Sequence, residues 1–273
     1  MFINQQTAEP DLEPTKFNKM TAITGAIYAG IYNPFFLPND LYVYYFTNIY
    51  GAVGLGYGYA DNFVFDSPRW KSAMNYRANI ESFSGCKTFH QVNTLSKKVF
   101  NPDGTKRSFT EFRNIAQGIN ANYNVNWLKT EQNAAFRVAQ SAEHWHQIQD
   151  DKDVLPWLQY QTVGDSKVRP EHAAWDGITR PVDDDFWLTH MPPNDFGCRC
   201  IVIQLEEGHK TRLTGIPENK SKVFSNNPGK SGTIFPKTGH PYFDVPNDFK
   251  SAKSNNFGFV TPSDEEIKRK WRL

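Results

Sequence analysis

Apolar positions recur most regularly between about residues 125 and 146. They lie three and four residues apart, which is the period of a helix with one buried face. The stripe consists of Leu128, Ala135, Val138, Ala139, Ala142 and Trp145. The pattern predicts a long amphipathic helix, and we expect Trp145 to lie in the core.

Shorter helices are indicated by their end signals. Ser108 followed three residues later by Glu111 forms a capping box, which predicts a short helix directly after Ser108. Pro68 is typical of a first helical turn. Pro170 can open another short helix, which Gly177 would end.

Two apolar runs have the length of strands. Residues 157–163 (WLQYQTV) predict one strand, and residues 201–205 (IVIQL) predict a second that is buried on both faces. Residues 178–197 are rich in proline and aspartate and predict a long ordered loop, in which we expect Trp187 to be buried. Residues 206–250 should be irregular. The sequence therefore predicts an α+β fold, with a helical section packed on a small sheet with long ordered loops.

The stretch from Leu41 to Ala60 carries no charged residue, and its length would just span a bilayer. It contains many tyrosines and glycines and is flanked by Asp40 and Asp61, which disfavours a transmembrane helix. We expect an aromatic piece of core rich in strand or turn, or a surface that a partner covers.

Composition limits the possible functions. Aromatic residues make up 15% of the 273 residues, which excludes a mostly disordered chain. The net charge is +1, so contact with nucleic acid would need a local basic patch. Three cysteines, Cys86, Cys198 and Cys200, favour a reducing compartment, and no secretory signal is visible at the N-terminus.

Candidate chemistry is concentrated between residues 160 and 200. Asp165, Arg169 and His172 lie close in sequence, and Cys198 and Cys200 follow. An Asp–His pair with a cysteine nucleophile would suit acyl transfer. His172, Cys198 and Cys200, with His190, could instead hold zinc.

Neither spacing is specific, so we predict a structural role. In that role Asp165 and Arg169 bind each other and turn amides, His172 bridges loop backbone, and both cysteines are free and packed. The prediction is no catalytic residue, no cofactor and no metal, with structural zinc on His172, Cys198 and Cys200 as the alternative.

Four segments together resemble the phage Mu F-like minor head protein family. They are Tyr160 to Gly177 (YQTVGDSKVRPEHAAWDG), Asp185-Phe186-Trp187, Pro192-Pro193-Asn194 and Gly197-Cys198-Arg199-Cys200. The resemblance extends upstream through residues 109–145 and downstream to Asn227-Pro228-Gly229, and covers roughly residues 95–240. Many members carry a cysteine pair where this chain has Arg169 and His172, which lowers the expectation of a metal here. The resemblance marks a structural cluster of Asp165, Arg169, His172, Gly177, Trp187, Pro192, Pro193, Cys198, Arg199 and Cys200.

The resemblance implies a minor capsid protein of a tailed phage or prophage, a virion component that docks near the portal vertex and assists head morphogenesis or genome delivery. Its implied partners are the portal protein and capsid or scaffold proteins, with no membrane. Its implied location is the portal vertex of the head, and the host cytoplasm during assembly. The alternative is a phage-encoded effector or toxin carried by a Mu F-like delivery module.

The resemblance also suggests an organisation of the chain. Residues 1–92 form an aromatic-rich region whose first 20 residues read as an arm or linker, 93–240 the Mu F-like module, and 241–273 an extension with a basic tail. The tail, SDEEIKRKWRL, places acids first and cations last and predicts a capped helix. Its cations are candidates for contact with packaged double-stranded DNA: Lys268, Arg269, Lys270 and Arg272.

Overall fold

The structure, a computed structural model, describes residues 14–271. About 55% of it is helical, and the strands in this range form a small antiparallel sheet. The predicted α+β class is confirmed. The long helices are α1 (Pro14–Tyr28), α2 (Asn39–Gly56), α3 (Pro68–Ser96), α4 (Phe109–Ala121) and α5 (Trp127–Asp151). The short helices are α6 (Pro170–Trp175), α7 (Phe186–His190), α8 (Pro228–Ser231), α9 (Lys250–Ser254) and α10 (Asp264–Trp271). The strands are β1 (Trp157–Gln161), β2 (Thr179–Pro181) and β3 (Ile201–Leu205).

Several predicted helices are confirmed. α4 begins after Ser108, whose hydroxyl accepts a hydrogen bond from the Glu111 amide while the Glu111 carboxylate accepts one from the Ser108 amide. A π-helical turn, Asn122–Asn126, then leads into α5. An arm or linker was predicted for residues 1–20, and residues 1–13 of that segment lie outside the described residues. From Pro14 onward that prediction is wrong, because α1 begins there.

The chain divides into two compact units. The first consists of the described part of residues 1–51 together with 80–133 and 244–271. The second consists of residues 52–79 and 134–243. Helices α2, α3 and α5 each contribute residues to both units. The domain boundaries at 92 and 240 stay predictions.

The uncharged aromatic stretch is a helix, and the prediction of strand or turn was wrong. Its buried positions recur with helical period: Leu41, Tyr42, Tyr45, Phe46, Ile49, Tyr50 and Val53. That spacing places one face of α2 in the core. Within the first unit, Gly51 lies so close to the indole of Trp271 that a Cβ atom would overlap the ring, about 2 Å from the nearest atom. Among residues 14–271, none of the helices is long and apolar enough to cross a bilayer.

A buried ion pair lies in the first unit. The Lys87 ammonium is 2.7 Å from a Glu131 carboxylate oxygen, with the lysine side chain fully buried. The ammonium also lies 4.7 Å from the centre of the Tyr45 ring. Burial lowers the pKa of Lys87, and the Glu131 charge opposes that shift. Breaking such a pair from one side would leave the other charge buried and unpaired.

The sheet belongs to the second unit and has the strand order β2-β1-β3, with both pairings antiparallel. Its buried face joins the C-terminal half of α5. The core cluster contains Trp145, Ile148, Leu158, Tyr160, Trp175, Ile178, Val182, Phe186, Trp187, Met191 and Val202. The burial expected of Trp145 and Trp187 is confirmed.

Two predictions for this unit were wrong. The long loop predicted over 178–197 contains β2 and α7, which are too short to show a period in the sequence. β3 is not buried on both faces, since Val202 is buried but Ile201 is 50% exposed. β3 pairs only with β1 on one side, so it is an edge strand of this sheet.

Candidate functional site

His172, Cys198 and Cys200 come together in the second unit. His172 lies on α6, which Pro170 opens, and Gly177 follows the helix with a φ of +74°. The two cysteines flank Arg199 immediately before β3. The Nδ1 atom of His172 lies 3.7 Å from the sulfur of Cys198 and 3.7 Å from the sulfur of Cys200. The three potential ligand atoms all lie within 4.8 Å of one another.

Aromatic and polar neighbours hold this cluster in place. His172 and Cys198 are buried, and Cys200 is partly buried. The imidazole of His172 stacks on Trp175, with ring centres 5.0 Å apart, and the Trp175 indole donates to the carbonyl oxygen of Pro217. His172 therefore has a fixed ring orientation, with Nδ1 towards the sulfurs.

The two thiols have opposite pKa shifts. The pKa of Cys198 is lowered to about 4, chiefly because Cys200 hydrogen-bonds to its sulfur, while burial opposes the shift. His172 and the backbone amides of Asn194 and Cys200 lower it further. The hydrogen bond to Cys198 and burial raise the pKa of Cys200. The two thiols therefore titrate as one interacting pair.

Two ion pairs border the cluster, and they differ from the predicted Asp165–Arg169 pair, which was wrong. Asp165 receives two hydrogen bonds of 2.7 Å from the Arg199 guanidinium and one from the Lys167 amide. Arg169 pairs with Asp195 at 3.0 Å and donates to the carbonyl oxygen of Phe196. Each pair joins the 165–169 segment to the 195–199 segment, so the loops on either side of the cluster are tied together. The expectation that His172 bridges loop backbone was also wrong, because its Nδ1 faces the thiols.

The remaining members of the predicted cluster are placed around it. Trp187 is fully buried and its indole donates to the carbonyl oxygen of Pro181. Pro192 and Pro193 are buried and joined by a cis peptide bond, and the Ser141 hydroxyl donates to the carbonyl oxygen of Pro192.

His190, a zinc ligand in one of the alternatives, is not part of the group with the cysteines. Its Nδ1 lies 2.9 Å from the Thr189 hydroxyl and 3.2 Å from the carbonyl oxygen of Phe186. The ring stacks on Phe186. Burial lowers the pKa of His190, which favours the neutral imidazole.

A cavity of about 190 Å³ opens beside both sulfurs. Met191, Pro192 and Pro193 line it together with the face of α5 that carries Arg137, Gln140, Ser141 and His144. This wall was not predicted from the sequence. The four residues lie at positions i, i+3, i+4 and i+7, so a polar stripe beside the apolar one was the available signal.

The basic candidates lie apart in the chain, on α10 of the first unit. α10 begins with a capping interaction between Ser263 and Glu266 and ends with Lys268, Arg269 and Lys270, as predicted. Arg269 and Lys270 are exposed, and Lys268 is half-buried. Arg272, the fourth predicted cation, lies outside the described residues.

Comparison with known proteins finds a family model that matches the segment containing the cluster. Residues 108–203 match the family model described as Phage Mu protein F like protein. The chain is 38% identical over 99 residues to the putative capsid assembly protein F of Escherichia phage Mu. The aligned segment covers 36% of this chain and 22% of the relative. It is 38% identical over 80 residues to the Mu-like prophage FluMu F protein of Haemophilus influenzae, which covers 29% of this chain and 18% of the relative. No solved structure matches the chain. The resemblance read from the sequence is confirmed over 108–203, and the chain spans about a fifth of the length of these relatives.

Proposed function

We propose that this chain, whose residues 108–203 are a Phage Mu protein F like region, is a structural component of the head of a tailed phage or prophage. The observation that carries the proposal is the match of residues 108–203, which contain the tied cluster, to the Phage Mu protein F like model, together with the similarity of the chain to a putative capsid assembly protein. In this role it assists head assembly, contacts capsid or scaffold proteins and the portal, and remains in the virion near the portal vertex. It performs no catalysis. The comparisons lend no support to the alternative of a toxin carried by the module.

The surface of the first unit supports a docking role. Most aromatic side chains of α2 are buried, so they are not available to a partner. The loop between α1 and α2 instead exposes Ile31, Phe35 and Phe36, at 64%, 77% and 73% of their surface. Grouped exposed apolar side chains are typical of protein–protein interaction surfaces. We assign this loop as the contact with a head protein.

A prophage in which the gene is inactivated would test the role in assembly. Complementation with the wild-type gene should restore full heads in electron micrographs, and the labelled protein should be found at one vertex of purified particles. A double variant, Phe35→Ser with Phe36→Ser, should be produced and folded but depleted from particles. Phe65→Ser is the matched control, because Phe65 is 77% exposed on a different loop and should leave incorporation unchanged.

Three results would contradict the proposal. One is normal head formation without the gene. Another is purified heads that lack the wild-type protein. The third is degradation of DNA or RNA by the purified protein with Mg²⁺, which would favour the effector alternative.

Contact with packaged DNA is a separate part of the proposal and rests on α10. Its last turn presents Arg269 and Lys270 to solvent, and phosphate contacts of this kind release counterions. Acidic residues in the first turn of the same helix, Glu265 and Glu266, oppose DNA binding nearby. Binding should therefore be weak, non-specific and strongly dependent on salt. Replacing the four tail cations by alanine should abolish retention of duplex DNA at low salt, and binding that ignores salt would contradict this contact.

A further inference from the structure

We propose that His172, Cys198 and Cys200 form a zinc site with three protein ligands and a fourth position open to the adjacent cavity. This inference is independent of the role in head assembly. It revises the prediction of no metal, because the sequence could not show that the three side chains meet. Among residues 14–271, this is the one group of three such side chains whose ligand atoms converge.

The distances are those of tetrahedral coordination. Zinc lies about 2.3 Å from a cysteine sulfur and about 2.1 Å from a histidine nitrogen, so at a tetrahedral angle the sulfur and nitrogen are about 3.6 Å apart. The Nδ1 atom of His172 lies 3.7 Å from each sulfur. An ion therefore requires little movement of the three side chains.

The surroundings resemble the outer shell of a metal site more than ordinary packing. One imidazole nitrogen of His172 lies at the same distance from both sulfurs, which is the arrangement that a shared ion requires. The stacked Trp175 fixes the plane of the His172 ring. A pair of thiols packed only as small apolar groups would not need an imidazole nitrogen directed between them.

The donor set selects the kind of metal. Two thiolates and one imidazole favour zinc over magnesium or calcium, which prefer oxygen ligands. No carboxylate of the described residues belongs to the converging group, and Asp165 is engaged by Arg199. Two thiolates also balance the charge of Zn²⁺, so the partly buried site would carry no net charge.

The cavity determines how the fourth position is filled. Both sulfurs line it, together with Met191, Pro192 and His144. His144 belongs to the cavity wall but not to the converging group. A water molecule or another small ligand that enters the cavity therefore completes the coordination.

The bound ion would connect α6 to the start of β3, across the 26 positions that separate His172 from Cys198. The two ion pairs already tie the same segments at the surface. Binding to the folded state alone stabilises it, so zinc should raise the unfolding midpoint of this unit.

The test uses the full-length reduced protein, freed of metal and titrated with Co²⁺ as a spectroscopic substitute for Zn²⁺. We expect one Co²⁺ per chain, sulfur-to-cobalt charge-transfer bands of two thiolates, and displacement by one Zn²⁺. His172→Ala, Cys198→Ser and Cys200→Ser should each weaken binding at least about 100-fold, since loss of even an outer-shell partner costs about 10- to 100-fold. His209→Ala is the matched control and should bind as the wild type does, because His209 is exposed and lies outside the converging group.

A second measurement needs no variant. Zn²⁺ should slow alkylation of Cys198 and Cys200 in the native protein and leave alkylation of Cys86 unchanged. Added azide should shift the visible bands of the cobalt protein if the fourth position is open. No stoichiometric binding, or loss of binding in His209→Ala as large as in His172→Ala, would overturn the ligand set. Visible bands that azide does not change would overturn the open position.

Discussion

Replacing Trp187 by alanine should lower the free energy of unfolding of the second unit more than any surface substitution would. Trp187 is fully buried, packs edge-on against Phe186 with ring centres 4.9 Å apart, and donates to the carbonyl oxygen of Pro181 at 2.9 Å. A buried indole removes about 200 Å² from water, which at about 25 cal/mol/Å² corresponds to about 5 kcal/mol. Alanine keeps part of this, but a cavity and an unpaired Pro181 carbonyl add to the loss. We expect the free energy of unfolding to fall by about 3–5 kcal/mol.

The assay is urea denaturation followed by circular dichroism, with hydrogen exchange of the β1 amides reporting on this unit. With an m value of about 2–3 kcal/mol/M, a loss of about 4 kcal/mol lowers the urea midpoint by about 1.3–2 M. Leu188→Ala is the matched control, because Leu188 is the next residue of α7 and is 42% exposed. Its loss should stay below about 1 kcal/mol. A loss below about 1 kcal/mol at Trp187, or equal losses at both positions, would refute the assignment of α7 to the core.

Two further predictions follow from local geometry. Burial raises the pKa of Asp184, but hydrogen bonds, led by the one from Arg180, lower it by more, so the pKa in the folded state lies below its ordinary value of about 3.9. The ionised carboxylate therefore stabilises the fold above that ordinary pKa, and this contribution is lost as the pH falls through the lowered pKa. Asp184→Asn should therefore show a smaller loss of stability between about pH 5 and 3 than the wild type in urea titrations, and an equal loss would contradict the reasoning. A Cβ atom at Gly229 would lie 2.5 Å from atoms of Trp145, so Gly229→Ala should lower the melting temperature through a cost of about 1–3 kcal/mol. Gly118→Ala, in open space on α4, should raise stability by up to about 1 kcal/mol, and a stabilising Gly229→Ala would show that the Trp145 packing is wrong.

The sequence by itself determined those features of this protein that depend on interactions between residues close together in the chain. The capping box at Ser108 and Glu111 marks the start of α4 because both side chains act within one helical turn. The apolar stripe of α5 follows from its period. The strand predicted over 157–163 was found as β1, which ends two residues earlier, at Gln161. The Mu F-like resemblance was also readable, because its motifs combine distinctive residues within about 40 positions.

The tertiary structure decided what depends on residues distant in sequence. Whether Asp165 binds Arg169 or Arg199 depends on how two loops fold against each other, so the partner cannot be predicted from the positions of charged residues in the sequence. His172 meets Cys198 and Cys200 only because α6 and the start of β3 pack side by side. α2 was misread for a related reason: its tyrosines favour strands by propensity, and burial of one helical face in the first unit overrode that preference. Capping residues and hydrophobic periodicity act within a few residues of the chain, whereas tertiary packing depends on the free energy of the whole folded arrangement.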